Sequence, residues 1–225
     1  INERRHQLHE VIRLSGMNLI VNDYDHPLII KVASIPQIRI QVYFIDNEEY
    51  FKKKFIFKGS DGKYFKDNDE RSMFFCRGVL ETVKKLGWMP DIVHCHGWMT
   101  ALMPVYLKSV YKNDPHFSNA KIIYAHYKQD EKLKFSKDLP TKLDFDELPT
   151  GDLNLDGLAD VNKLHEIGIQ WSDAVSHGSP EVDESLLELI KKTDKSVLEY
   201  HDEEQTVEAH QNFYDKVLSE NGVLV

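Results

Sequence analysis

The chain has 225 residues, of which 41% are hydrophobic, enough for one large domain with a sizeable core. Its net charge of −9 at pH 7 argues against a nucleic-acid partner and against an anionic membrane surface, because both attract basic proteins. No apolar run approaches the roughly 18–20 residues of a membrane span. The only thiols are Cys76 and Cys95, so we expect a cytoplasmic protein with reduced cysteines.

Strand signals dominate residues 10 to 46. β-Branched and aromatic residues cluster in four short runs, at 10–14, 18–21, 27–32 and 38–45. The turn-forming residues 22–25 separate the second run from the third. Strands this short and this close together predict a small antiparallel element near the N-terminus, followed by a loop at 52–66.

Beyond this loop the pattern alternates between helix and strand. Helices are predicted at 69–85, 98–111, 158–170, 180–192 and 203–219, and strands at 92–94, 121–126, 173–176 and 197–200. The alternation predicts an α/β fold with a Rossmann-like open, mostly parallel sheet flanked by helices. Residues 127–157 show no clear period and are expected to form an irregular excursion. We expect a single domain over 1–225, closed by a C-terminal strand and helix at 197–225.

The most informative segment is His94-Cys95-His96-Gly97-Trp98, at the end of the strand predicted at 92–94. Ligands bind at the carboxyl ends of strands in open α/β sheets, and residues i and i+2 of a strand face the same side. His94 and His96 could therefore form a site together. One alternative is a metal pair, although no third ligand lies at suitable spacing; another is a packing role in which an imidazole bonds the backbone.

This segment resembles a family motif. Residues 90–98, followed by Ala101-Leu102, resemble the P-D-[IV]-[IV]-H-x-H-D-W…A-L segment of bacterial glycogen synthases and plant starch synthases, which are GT-B glycosyltransferases. The resemblance implies one GT-B half. It also implies that His96 contacts the transferred glucose as a catalytic residue, with His94 binding substrate and Trp98 forming a wall of the cleft. For Trp98 the alternative is packing beneath the helix that follows. The family's aspartate in this motif is Gly97 here.

A second resemblance lies just before the helix predicted at 69–85. Asp67-Asn68-x-x-Arg71, with Phe74 after it, resembles the D-N-x-x-R-F run of glycogen synthases. It implies that Asp67 is catalytic near the donor glucose, that Asn68 and Arg71 bind substrate, and that Arg71 orients Asp67. A carboxylate there can stabilise an oxocarbenium-like centre. The alternative is a solvated helix N-terminus, capped by Asn68 or Asp69.

Two further segments match the family less closely. His126 corresponds to the histidine of a T-V-H-N run, which implies substrate binding, although an ordinary strand-end histidine is the alternative. Residues 171–180 resemble the A-D-x-[IV]-x-x-V-S-P segment of the family. There, Ser179 and Pro180 also predict a helix start.

The resemblance implies transfer of glucose from ADP-glucose or UDP-glucose to an α-1,4-glucan, a step of glycogen biosynthesis, with no metal and no further cofactor. The family's Lys-x-Gly-Gly loop is not in this sequence. The roughly 45 residues after Pro180 are too few for another Rossmann domain, so we expect the second GT-B domain to be absent. A second domain or chain would then complete the cleft. Two alternatives stay open: a non-catalytic module that binds glucan or docks on a partner, and a metal-assisted hydrolase built on His94 and His96.

Overall fold

The computed structural model describes residues 9–35, 40–128, 135–155 and 161–220. These residues form two sheets, one antiparallel and N-terminal, the other parallel and flanked by helices. The predicted α/β class, with its small antiparallel element and mostly parallel sheet, is confirmed. No helix in the described ranges combines the length and the apolar character that crossing a bilayer requires.

The antiparallel sheet has the strand order β1-β2-β3. Its strands are β1 (His9–Val21), β2 (Tyr24–Ile35) and β3 (Ile40–Asp46). Asn22 and Asp23, both with positive φ, make the tight turn between β1 and β2. The runs predicted at 10–14 and 18–21 form one strand, with a pairing irregularity between Leu14 and Met17. Gly16, at φ 94°, absorbs this irregularity, so the strand continues where the sequence suggested a break.

The parallel sheet has the order β4-β5-β6-β7. Its strands are β4 (Ile92–His96), β5 (Lys121–His126), β6 (Ala174–His177) and β7 (Val197–Leu198). All of them were predicted within a few residues. Since the strands are parallel, their carboxyl ends meet at one edge of the sheet.

Seven α-helices surround the sheets in the described ranges. They are α1 (Glu48–Phe51), α2 (Asn68–Lys85), α3 (Met103–Lys108), α4 (Leu139–Phe145), α5 (Val161–Trp171), α6 (Glu184–Lys191) and α7 (Thr206–Ser219). The helix predicted at 98–111 is instead a 3-10 turn, Trp98–Thr100, followed by α3, in whose first turn Pro104 lies. The helix predicted from Pro180 begins at Glu184. Ser179 does not cap it: its hydroxyl bonds the backbone at Lys128 and Glu181.

Helix α4 lies inside the segment expected to be irregular. Leu139 and Leu143, one helical turn apart, are both buried, and Lys142 pairs with Asp69 and Glu70 of α2 at 2.8 and 2.7 Å. These tertiary contacts explain the helix better than its own sequence does, because a helix of this length is marginal without packing. Residues 129–134 and 156–160 of the same region lie outside the described residues.

The parallel sheet has two differently covered faces. On one face Cys95, Tyr124 and Val175 belong to the main core of the molecule. On the other, Phe213 and Val217 of α7 belong to a smaller cluster with Ile123, Ala174 and Leu198 of the strands. Because side chains alternate along a strand, neighbouring residues at each strand end face different surroundings.

Candidate functional site at the carboxyl edge of the parallel sheet

Polar side chains from several strand ends meet on the face that α7 covers. His94 and His96 project there from β4, while Cys95 between them points into the main core and is 3% exposed. The two imidazoles lie side by side, with ring centroids 4.1 Å apart and planes tilted by 35°. The sequence prediction that the two rings share a face is confirmed.

His94 is held by two hydroxyls. Its Nδ1 lies 2.8 Å from the Tyr214 hydroxyl of α7, and its Nε2 lies 3.0 Å from the Ser176 hydroxyl of β6. Burial, together with the neighbouring His96 and His210 rings, lowers the pKa of His94 to about 3. His94 is therefore neutral at pH 7 and has both ring nitrogens engaged. A sugar could bond it only by displacing a hydroxyl of the protein.

His96 stands exposed at the tip of β4. Its Nδ1 lies 2.8 Å from the Tyr127 hydroxyl, and its Nε2 makes no hydrogen bond to any residue that the structure describes. Desolvation within this cluster lowers the pKa of His96, and the His210 ring adds to the effect. His96 thus offers one oriented ring nitrogen to a ligand while the other is fixed by the protein.

Trp98 is packed inside the molecule, the alternative to a cleft wall that the sequence left open. After Gly97, at φ 73°, the chain turns inward, and the Trp98 side chain is only 2% exposed. Its ring packs against Phe57 and Phe135 at centroid distances of 4.9 and 5.5 Å. The expected role as a wall of the cleft does not fit this position, because the indole is enclosed in the main core.

The Asp67-Asn68-x-x-Arg71 segment forms the start of α2, with Asn68 as its first residue. Arg71 Nη1 donates to Asn68 Oδ1 at 2.6 Å, and Asn68 Nδ2 donates to the Phe57 carbonyl at 2.9 Å. Asp67 instead pairs with Lys53 at 2.5 Å. The expectation that Arg71 orients Asp67 is therefore corrected: Arg71 holds Asn68, and Lys53 holds Asp67.

Arg71 and Asn68 are 4% and 1% exposed, so a substrate could reach them only through a cavity. Such a cavity of about 380 Å³ lies between β3 and α2, where Arg71, Phe57 and Phe75 line it. Burial lowers the pKa of Arg71, while the nearby Asp67 charge opposes the shift. Asp67 itself is partly exposed and is the most accessible member of this motif.

His126 faces the main core, away from His96. It is 0% exposed, its ring centroid lies 4.9 Å from that of His177, and neither of its nitrogens bonds a described residue. Burial, together with His177 and His165, lowers its pKa to about 3. The structure therefore does not bring His126 together with His94 and His96, although His96 and His126 end neighbouring strands.

Four residues near the site were not singled out from the sequence: Lys53, Tyr127, Ser176 and Tyr214. Lys53 sits in a lysine-rich loop, Ser176 ends a predicted strand and Tyr127 follows one, so proximity to strand ends was the only usable signal. Tyr214 comes from a helix far along the chain. Among the described residues, no three His, Cys, Asp or Glu side chains assemble into a metal-binding group.

Comparison with known proteins assigns this chain to a family. The family model described as starch synthase catalytic domain matches residues 1–196. Glycogen synthase of Chlorobium limicola is 44% identical over 124 residues, covering 55% of this chain and 25% of that protein. Glycogen synthase of Chlorobium luteolum is 38% identical over 180 residues, covering 73% of this chain and 37% of that protein. The chain thus spans only about a quarter to two fifths of the length of these relatives.

A solved structure has the same fold. The catalytic domain of starch synthase IV from Arabidopsis thaliana, bound to ADP and acarbose, superposes with a TM-score of 0.61 at 18% identity, over 93% of this chain and 40% of that one. The predicted resemblance is confirmed: the chain belongs to the starch synthase catalytic domain family and has the fold of one half of a GT-B glycosyltransferase.

Proposed function

We propose that this chain forms the acceptor-side half of a glycosyltransferase that moves glucose from ADP-glucose, or from UDP-glucose, to an α-1,4-glucan in glycogen biosynthesis. The observation that carries the proposal is His96. It is an exposed imidazole at the carboxyl edge of the sheet, at the histidine position of the family motif, with Nδ1 fixed and Nε2 open. The curated relatives are glycogen synthases, and the structural neighbour binds ADP and acarbose.

The proposed roles follow from what each side chain touches. His96 bonds a hydroxyl of the transferred glucose, which becomes the non-reducing end of the glucan, through Nε2, since a neutral imidazole can donate or accept there. His94 acts behind it, as the ring on which His96 stacks. Stacking on a ring that Ser176 and Tyr214 hold in place limits the orientations open to His96.

Asp67 is the proposed carboxylate near the donor sugar. Lys53 pairs with it and orients it, and its partial exposure leaves it accessible. A carboxylate at this place favours the positive charge that develops at the anomeric carbon during glycosyl transfer. Asn68 and Arg71 support the loop that carries Asp67, with Arg71 bonding Asn68 from the buried side. No metal and no cofactor other than the nucleotide sugar enters this scheme.

The diphosphate of the donor needs a second wall for the cleft. We propose that a second GT-B domain, or a second chain, supplies it, and that residues 1–225 act as one domain. The proposed compartment is the cytoplasm, because Cys76 and Cys95 are free thiols. No contact among the described residues favours a non-catalytic module or a metal-assisted hydrolase.

The test is calorimetric titration of the purified chain with maltooligosaccharides. The wild type is expected to bind in the millimolar range, and His96→Ala to weaken binding about tenfold, the effect of one well-oriented hydrogen bond. His116→Ala is the matched control, because His116 bonds Asp114 on another part of the surface. No heat from the wild type at millimolar sugar would overturn the proposal, as would equal affinities of wild type and His96→Ala.

A further inference from the structure

Tyr127 lies where three strand ends of the parallel sheet meet. It follows β5 directly, and its hydroxyl oxygen is 2.8 Å from His96 Nδ1. Backbone hydrogen bonds of 2.9 Å tie the residues after β4 and β6 to β5 at the same level, from Gly97 N to the Ala125 carbonyl and from Gly178 N to the His126 carbonyl. The tyrosine is therefore anchored between the tips of β4 and β6.

Two glycines make room for its ring. A Cβ added at Gly178 would lie 2.3 Å from Tyr127 Cζ, a distance that no real side chain tolerates. A Cβ added at Gly97 would lie 3.8 Å from Tyr127 Cδ2, in van der Waals contact, and Gly97 also has a φ of 73°. Gly97 stands where the family motif has aspartate. This chain thus lacks a carboxylate at the strand tip and has a phenol packed over the same place.

We propose that Tyr127 is a positioning residue for His96: its hydroxyl donates to Nδ1, keeps the imidazole proton on Nε2 and aims that N–H at the ligand. The phenol can act as the donor because tyrosine is protonated at neutral pH, and burial raises the pKa of Tyr127 further from that range. A carboxylate would accept from Nδ1–H and leave a lone pair at Nε2, the opposite tautomer. With its proton on Nε2, His96 donates a hydrogen bond to a sugar oxygen. That the ligand is a sugar rests on the proposed function.

The tautomer can be measured without any sugar. In the whole chain labelled with ¹⁵N at histidine, the wild-type His96 is expected to show a protonated Nε2 and an unprotonated Nδ1. In Tyr127→Phe the donor is lost, so a mixture of tautomers should appear and the pKa of His96 should rise, because a bond to the neutral ring is gone. Phenylalanine keeps the ring packed against Gly178, and a thermal melt verifies that the variant is folded.

Tyr214→Phe is the matched control, since it removes the same group from the neighbouring His94. It should leave the His96 tautomer unchanged. If the wild-type proton is on Nδ1, or if Tyr127→Phe leaves the His96 shifts as they were, the positioning role is overturned.

Sugar binding gives a second, separate measurement. Tyr127→Phe should weaken maltooligosaccharide binding about five- to tenfold, the effect of losing one neutral hydrogen bond. Tyr111→Phe should not change it, because the Tyr111 ring is buried in the main core and its hydroxyl bonds Glu81 of α2. Equal affinities of wild type and Tyr127→Phe would contradict the claim that the Nε2–H of His96 points at the ligand. A wild type that binds no maltooligosaccharide would overturn the proposed function, while the tautomer result would still decide the role of Tyr127.

Discussion

Two groups of histidines lie at the same edge of the parallel sheet but on opposite faces. On the α7 face, His94 and His96 are hydrogen-bonded to hydroxyls of Ser176, Tyr214 and Tyr127. On the core face, His126 is completely buried and has no partner among the described residues. The same residue type, at the same kind of strand end, is thus hydrogen-bonded to hydroxyls on one face and enclosed without a described partner on the other.

The difference shows that a strand-end position does not by itself assign a role. The α7 face has hydroxyls within reach, so both imidazoles there are oriented, and of the two only His96 has a ring nitrogen that bonds no described residue. The core face offers His126 only other rings, His177 at 4.9 Å and His165 at 6.4 Å. A buried imidazole in such surroundings is stable only when neutral.

Trp98→Ala is expected to have the largest effect, because Trp98 belongs to the core face and is nearly inaccessible. Removing a fully buried indole should lower the free energy of unfolding by about 3–5 kcal/mol. Urea denaturation measures it, with Trp88→Ala as the matched control, since Trp88 is 41% exposed. Equal stability losses in the two variants would return Trp98 to the role of an accessible cleft wall.

Acid should destabilise the fold through the buried imidazoles. The pKa of His126 is about 3 in the folded chain against an ordinary 6.5, so the unfolded chain takes up a proton first and stability falls as the pH drops below about 6.5. Between pH 7 and pH 5 this amounts to about 2 kcal/mol for His126. His126→Leu should lose that part of the pH dependence in urea denaturation. An unchanged slope in the variant would show that His126 is solvated or paired.

His94→Leu and His126→Leu should differ at pH 7. The first leaves the hydroxyls of Ser176 and Tyr214 without their partner, so we expect a loss of about 1–2 kcal/mol in the free energy of unfolding. His126→Leu removes an imidazole that bonds no described residue, so no hydrogen-bonding group loses its partner. The free energy of unfolding should therefore change little. A larger loss of stability in His126→Leu than in His94→Leu at pH 7 would contradict this difference between the two faces.

Lys53→Met should have the smallest effect on stability. The Lys53–Asp67 pair is about a quarter exposed on each side, so its loss should change the free energy of unfolding by roughly 0.5 kcal/mol. Lys52→Met is the control, because Lys52 pairs with Glu48 in a largely exposed position. A loss of several kcal/mol would mean that Asp67 is a structural charge and not an accessible carboxylate.

Sequence reasoning located the strands well because their apolar runs are short and bounded by turn residues. It also placed His94 and His96 on one face, since alternation along a strand fixes that relation. It could not place Trp98, because the inward turn at Gly97 depends on backbone geometry that one glycine allows but does not dictate.

Sequence reasoning also missed side-chain contacts between residues far apart in the chain. The pairing of Lys142 with Asp69 and Glu70, which joins α4 to α2, connects residues far apart in sequence. Tyr214 reaches His94 from the last helix of the described chain. Such contacts depend on how the helices and strands pack against one another, and the residue pattern of a single sequence does not determine this packing.

The most direct test of the account follows His96 and His126 together during one titration. In ¹⁵N-histidine spectra of the whole chain, adding maltooligosaccharide should shift the His96 imidazole signals in a saturable way and leave those of His126 in place, since the two rings lie on opposite faces. A His96 signal that does not move, or a His126 signal that moves instead, would contradict the assignment of the α7 face as the sugar-binding face.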